Sequence, residues 1–384
     1  MLRIGYDAKR LFNNFTGLGN YSRTLLANLA EYYPDNAYFL YSPKIAKNDE
    51  THFFLNSALF NVQLPKRGPG AYWRSVGIKR DLLKHKIQLF HGLSHEIPLG
   101  LEKANIRSIV TIHDLIFERF PEHYPFIDRK IYSLKFRYAC RHADHIVAIS
   151  ENTKQDIIEF YDIPAEKISV IYQSCHERYM VEKSRKTFEG LRRRYRLPEK
   201  YLLTVGSITE RKNLLGIIRA LEQLPESCRL PLVVVGQGSR HRAKVQAFVQ
   251  KNRLEHLVHF ADVSFDDLPA VYQKASVFLY PSFYEGFGIP ILEALFSKTP
   301  VITSNVSSLP EAGGPGAHLV DPRRPEEIAA GIERVLSDEA YRKELVEKGY
   351  AYAQQFRGEP LAHKMMELYK KVVGGGHTEP EPIA

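Results

Sequence analysis

Short apolar runs, unbroken by polar residues over most of their length, recur through the first half of the chain: LRIGYD, AYFLY, IQLFHG, SIVTIHD, HIVAIS and ISVIYQ. Helical patterns such as NYSRTLLANLAEYY lie between them. A strand with one wet face alternates apolar and polar residues, whereas a strand covered on both faces is apolar throughout. The runs are of the second kind, and their alternation with helices specifies a doubly wound α/β layer with a parallel sheet. The same pattern restarts near residue 200 with YLLTVG, LPLVVVG, HLVHFADV, ASVFLYPS, PVITSN and AHLVDP.

A length of 384 residues suits two such domains better than one core. The polar, basic stretch KSRKTFEGLRRRYRLPEK at 183–200 interrupts the alternation and reads as a linker. The expected organisation is a domain over 1–182, a second over 201–355, a helix over 356–374 packing back on the first, and a frayed tail over 375–384. Two α/β domains joined in this way leave a cleft between the carboxyl ends of their strands, where open parallel sheets bind ligands.

The N-terminus passes from a short strand pattern to polar residues without an apolar stretch of signal-peptide length, and no run approaches the roughly 18 residues of a membrane helix. The chain is therefore expected to be made in, and to stay in, the cytosol. Cys140, Cys175 and Cys228 are far apart and lack metal or redox spacing, which makes them small core residues. The net charge of +9 points to nucleic acid, an anionic membrane or an anionic substrate. Against nucleic acid, RRRYR and RKIYSLKFRYACR lie in helical patterns with apolar partners, and no recognition motif accompanies them.

The stretch YPSFYEGFGIPILEAL, residues 280–295, follows a strand pattern and leads a helical one. Pro290 suits the first turn of a helix, where its missing N–H has no partner to lose. A helix starting at 289 or 290 makes Gly286 and Gly288 the preceding turn, with Glu285 on the loop and Glu293 in the first helical turn. Helix N–H groups and the positive end of the dipole make an anion site. A first-turn glutamate also suits the helix dipole by itself, but a carboxylate beside a phosphate site needs a reason, and one such reason is a ligand that carries hydroxyls next to its phosphates. In LLTVGSITERKNLLGIIRAL, Arg211 and Lys212 stand at the start of a helix near Asn213, and the dipole repels them unless an anion sits between them.

EGFGIPILEA resembles the glutamate, seven residues, glutamate motif of the retaining, nucleotide-sugar-dependent glycosyltransferases of the two-Rossmann GT-B fold, a large family that includes bacterial mannosyl- and glucosyltransferases. The resemblance runs over roughly residues 1–370. It implies an α/β fold of two Rossmann-like domains facing a central cleft. Glu285 is implied to contact the donor sugar, Glu293 to hold the ribose hydroxyls, and Phe287 and Gly288 to present backbone N–H groups to the sugar and diphosphate. Arg211 and Lys212 are implied to be the cations on the diphosphate, after the strand glycine Gly206. Many relatives have an arginine directly after that glycine where this chain has Ser207, so the correspondence is firmer for Lys212 than for Arg211.

In the first half, FTGLGNYSRTLLANL resembles the family's glycine loop ahead of the first helix, with Gly17 and Gly19 near the diphosphate. It is no dinucleotide fingerprint, because Ser22 stands where the third small residue belongs. His113 and Asp114 end the run SIVTIHD, and relatives have a histidine here that contacts the donor sugar. His95, in HGLSHEIP, and Ser150, after HIVAI, are candidates for the acceptor side.

The implied reaction is a same-face substitution in which the diphosphate leaves with help from Arg211 and Lys212. No metal or other cofactor is expected, since two cations and a helix terminus neutralise the leaving group, and no D-x-D follows a strand. The partners are a nucleotide-sugar donor and a glycan or lipid-linked acceptor, with no nucleic acid. Competing readings are a sugar-nucleotide epimerase, a phosphorylase or a non-catalytic basic binder. The excess charge is assigned to an anionic membrane surface met by residues 66–86, where seven Lys or Arg are interleaved with Trp73, Val76, Leu82 and Leu83.

Overall fold

In the computed structural model, which describes residues 1–66, 68–238 and 240–375, every strand but one coincides with an apolar run read above. The first sheet consists of β1 (Arg3–Asp7), β2 (Ala37–Tyr41), β3 (Phe60–Gln63), β4 (Leu89–Gly92), β5 (Arg107–Ile112), β6 (His145–Ala148) and β7 (Ile168–Val170). Its order is β3-β2-β1-β4-β5-β6-β7, and all pairings are parallel. The second consists of β8 (Leu202–Val205), β9 (Leu232–Val235), β10 (Val258–Ala261), β11 (Val277–Tyr280), β12 (Val301–Ser304) and β13 (Ala317–Val320). It is ordered β10-β9-β8-β11-β12-β13, again wholly parallel. Central strands such as β4, β6, β9, β11 and β12 are buried at every position, as continuous apolar runs require.

The strand order reverses between β1 and β4 in the first sheet and between β8 and β11 in the second. At such switch points neighbouring connections leave in opposite directions and open a crevice at the carboxyl ends of the strands. Asp7 and Gly92 end the strands at the first crevice. Gly206 follows β8 and Pro281 follows β11 at the second.

The chain divides into two units, Met1–Ser174 with the C-terminal segment from Gly358, and Cys175–Arg357. The first core gathers residues such as Phe90, Val110, Ile146 and Ile157, and the second Ile217, Val234, Leu279 and Ile302. The boundary thus falls at 174/175 rather than 182. The supposed linker 183–200 is a correction: Arg185–Tyr195 is a helix of the second unit, capped by Ser184, whose hydroxyl accepts from the Thr187 N–H. It buries only Leu191, which is why its sequence looks like a solvated connection. The Gly358–Gly374 helix clusters with the first unit, where the Tyr369 hydroxyl meets His91 Nδ1 at 2.6 Å. Beyond Gly375 the expected frayed tail lies outside the described residues.

The segment assigned to a membrane surface is also corrected. Trp73 and Leu82 are core residues, and the Trp73 indole donates to Asp81 Oδ2 at 2.7 Å. Of the apolar side chains named there, only Leu83 is exposed.

Candidate active site

At the second switch point, the glutamate of EGFG and the two cations of ERKN meet. Arg211 Nη1 lies 2.7 Å from Glu285 Oε2, and Lys212 Nζ lies 2.6 Å from Glu285 Oε1, one cation on each oxygen. Glu285 is 7 % exposed. Burial alone raises a carboxyl's pKa, yet Lys212 and Arg211 overcome it and hold this one down at about 2. The anion that the sequence required between the two cations is thus supplied by the chain itself. Lys212 also donates to the buried Tyr280 hydroxyl and sits 4.6 Å from the centre of that ring. Gly206, at φ +142°, completes the wall, because a side chain there would start 4.0 Å from Lys212 Nζ.

The cluster is held by residues that sequence reasoning missed. Asn213, in the left-handed conformation just before the Leu214–Gln223 helix, donates to the carbonyls of Pro281 (3.1 Å) and Pro322 (2.6 Å). Phe283 N–H donates to the Arg211 carbonyl at 2.9 Å, so the 210–213 turn and the 281–285 loop are tied backbone to backbone. Gly216 is required by the same amide, since a Cβ there would lie 2.3 Å from Asn213 Oδ1. On the far side, Ser307 Oγ accepts from Glu285 N–H (3.0 Å) and donates to the Glu285 carbonyl (2.8 Å). Ser308 Oγ lies 3.0 Å from the Phe287 carbonyl.

The helix Ile289–Phe296 begins where expected, with Gly288 before it at φ +124° and Pro290 in its first turn. Glu293 is its fifth residue, one turn later than the sequence reading placed it. Its carboxylate accepts from the Tyr272 hydroxyl at 2.8 Å, and burial pushes its pKa up to about 7, against the pull of Tyr272, Tyr179 and Arg178. Phe287 is buried, with its ring 5.6 Å from that of Phe356.

The first unit treats its candidates differently. His113 Nε2 donates to the Leu93 carbonyl at 2.9 Å, because a carbonyl can only accept. That leaves Nδ1 to accept from the Gln173 amide at 3.2 Å. Burial brings the ring's pKa down to about 4, so it is a neutral imidazole with a fixed tautomer. His95 adopts φ +63° and stacks on Phe136 with ring centres 4.3 Å apart. Asp114 Oδ1 accepts from Ile116 N–H at 3.2 Å. Ser150, expected on the acceptor side, is fully buried and serves as the N-cap of the Glu151–Tyr161 helix through Thr153 N–H.

Gly17 and Gly19 are not in a loop but are the first and third residues of the Gly17–Tyr32 helix. A Cβ on Gly19 would stand 1.7 Å from the Asn14 carbonyl oxygen, so packing alone demands glycine there, whereas Gly17 has nothing within 4 Å.

Comparison with known proteins now decides the family. Residues 15–175 match Glycosyltransferase Family 4 and residues 189–352 match Glycosyl transferases group 1. The chain is 31 % identical over 293 residues to the O-antigen chain mannosyltransferase B of Escherichia coli, covering 75 % of this chain and 76 % of that one. It belongs to the group 1 glycosyltransferases. A second relative, the O-antigen chain mannosyltransferase RfbU of Salmonella typhimurium, is 29 % identical over 268 residues, 69 % of each chain. The glycosyltransferase also shares its fold with Anabaena HepE solved in complex with UDP, at TM-score 0.76 and 17 % identity over 97 % of this chain and 100 % of that one. WaaG, a glycosyltransferase of lipopolysaccharide biosynthesis, superposes at TM-score 0.71 and 20 % identity over 98 % and 100 % of the two chains. The fold of this glycosyltransferase is therefore GT-B.

Within the glycosyltransferase, the structure brings Glu285, Arg211, Lys212 and Gly206 into one cluster, adds Tyr280 to it, and places Glu293 in a separate tyrosine-lined niche. Chemically the cluster holds two fixed cations around one carboxylate. A second anion that takes up the same donors competes with that carboxylate.

Proposed function

We propose that this glycosyltransferase moves mannose from a nucleotide-diphosphate mannose to a glycan or lipid-linked acceptor in surface polysaccharide synthesis, with retention of anomeric configuration and without a metal ion. The choice of sugar and pathway is supported by the two O-antigen mannosyltransferase relatives. The nucleotide-sugar donor is supported by the structural neighbour bound to UDP.

The observation that carries the mechanism is the Arg211–Glu285–Lys212 cluster. Its two cations suit a leaving diphosphate, where they stabilise the charge that develops as the sugar–oxygen bond breaks. A double displacement needs a carboxylate nucleophile, and an inverting reaction needs a general base that titrates near neutrality. Glu285, held at about 2 between two cations, is poor at either task; Glu293, near 7, is engaged by the Tyr272 hydroxyl in a separate buried niche, and the neutral His113 ring has both nitrogens engaged. The proton of the attacking hydroxyl therefore goes to the departing phosphate oxygen. The bond from the anomeric carbon to that oxygen breaks while the acceptor oxygen bonds on the same face. Arg211 and Lys212 hold the diphosphate in place throughout.

The test is to incubate the purified chain with GDP-mannose, UDP-glucose and UDP-galactose, each with and without chelator, and to read the product's anomeric configuration by NMR. An inverted product, or activity abolished by chelator and restored by metal, would overturn the mechanism. Transfer from a donor other than a mannose conjugate would overturn the sugar.

A further inference from the structure

The helix Phe126–His142 is apolar on two faces. Its inner face buries Phe136, Ala139 and Cys140 in the core of the first unit. A surface helix ordinarily turns one such stripe inward and polar residues outward. Here the outer face carries Ile127, Ile131 and Leu134, which are 70 %, 45 % and 72 % exposed, followed by the partly buried Tyr138. Their spacings of four, three and four residues line them up as a single ridge. Phe126, 64 % exposed, begins the helix, with Lys130 Nζ 5.2 Å from its ring centre.

Basic side chains border the ridge. By helical position Lys130 and Arg141 run along one side and Lys135 along the other, with Lys135 Nζ 3.4 Å from Glu96 Oε2; Arg137 turns away onto the Phe160 carbonyl and the Tyr161 ring, and Asp128 is the only acid in the helix. The face continues beyond the helix. Gly100 N–H donates to the Tyr138 hydroxyl at 2.9 Å, which sets the exposed Leu99 beside the ridge, and Lys79 Nζ lies 3.3 Å from where a Gly100 side chain would start.

We propose that this face is the surface on which the protein rests on an anionic lipid bilayer, with the apolar ridge entering the headgroup region and the flanking cations meeting lipid phosphates. Charge complementarity selects this occupant. A second copy of the chain would set one basic helix against another, whereas anionic lipid supplies the opposite sign over the whole face. Bare apolar side chains gain from immersion at the interface, and lysine and arginine stems reach past them to the headgroups. None of the described helices is long and apolar enough to cross a membrane, so the contact is a peripheral one. Lipid binding by this face is independent of which sugar is transferred.

The full chain should be floated with vesicles of phosphatidylcholine alone and of phosphatidylcholine with phosphatidylglycerol, beside the triple variant Ile127→Ser, Ile131→Ser, Leu134→Ser. The three positions are exposed, so the variant keeps its melting temperature and circular dichroism. The expected result is flotation with the anionic vesicles, reduced on the order of tenfold on neutral ones and by at least as much in the variant. A Lys130→Glu, Lys135→Glu pair gives a second arm that leaves the ridge intact and should weaken anionic binding alone. No flotation of the wild type, or flotation untouched by the triple variant, would overturn the assignment. So would a wild-type dimer by light scattering that the triple variant converts to monomer, because the ridge would then be a subunit interface.

Discussion

Replacing Glu285 by glutamine should make the protein bind a nucleoside diphosphate more tightly while it stops transferring sugar. In the free protein each oxygen of Glu285 is held by one cation, at 2.7 Å and 2.6 Å. A carboxyl held at about 2 rather than 4.5 has its ionised form favoured by about 3 kcal/mol, net of burial. A diphosphate that takes Arg211 and Lys212 must loosen those contacts. If it forfeits about half of that energy, the cost to binding is about 1.5 kcal/mol, or roughly tenfold in Kd. Glutamine keeps the shape and one oxygen, but it carries no charge to compete with phosphate. Calorimetry with GDP and UDP, without sugar and at one fixed salt concentration, should therefore show a roughly tenfold tighter complex for Glu285→Gln. The ligand-free variant should melt earlier, because two partly buried cations have lost their counter-charge. Adding Lys212→Ala should erase the gain. If either nucleotide binds the Glu285→Gln protein no more tightly than wild type, the carboxylate does not compete for the clamp and the reasoning fails.

Lys212→Ala alone should abolish the thermal shift that nucleoside diphosphates give and lower transfer by roughly a hundredfold or more, as loss of a charge-stabilising donor does elsewhere; a preserved shift would place the diphosphate elsewhere. Glu293 has its folded pKa raised from 4.5 to about 7, so its contribution to stability is fully present below 4.5 and is lost as the pH rises through 7. Glu293→Gln should therefore melt with wild type at pH 4.5 but above it at pH 8, by up to about 3 kcal/mol, and equal melting at both would remove the argument. Asn213→Gly keeps the left-handed backbone at φ +56° but leaves the Pro281 and Pro322 carbonyls without their donor. It should destabilise by about 2 kcal/mol in chemical denaturation and weaken nucleotide binding as the 210–213 turn loosens.

The central strands were legible because burial on both faces leaves a mark in every residue. The strand that escaped, β3, is an edge strand in which only Phe60 is buried, so FNVQ carries no continuous run. The helix Arg185–Tyr195 escaped for the opposite reason: with one buried leucine its sequence is nearly all solvent-facing, and a solvated helix and a linker look alike. The unit boundary at Ser174/Cys175 has no compositional mark either, since it falls in irregular chain after β7. Glycines, proline and glutamates within ten residues were enough to find the EGFG loop, because turn chemistry is local. Asn213, Ser307, Ser308 and Gln173 were invisible, since each acts on a partner far away in sequence. Asn213 and Pro322 are 109 residues apart, and Gln173 and His113 are 60 apart.

The charges at 211 and 212 show where local reasoning is sound and where it stops. Two cations ahead of a helix did require an anion, and that inference followed from electrostatics alone. The anion's origin did not follow, because Glu285 lies more than seventy residues away and only the pairing of β8 with β11 brings it between them. The consequence is functional. Without its own carboxylate the empty clamp would be a general anion site, open to any phosphate or sulfate in the cell. With Glu285 in place a ligand must offer more than one negative charge or a further contact to displace it, and a diphosphate carrying a sugar beside that carboxylate offers both. If the diphosphate binds there as proposed, the buried glutamate acts as a threshold on what may enter, and a clamp that glutamine would make tighter for diphosphate should also become less able to refuse inorganic phosphate.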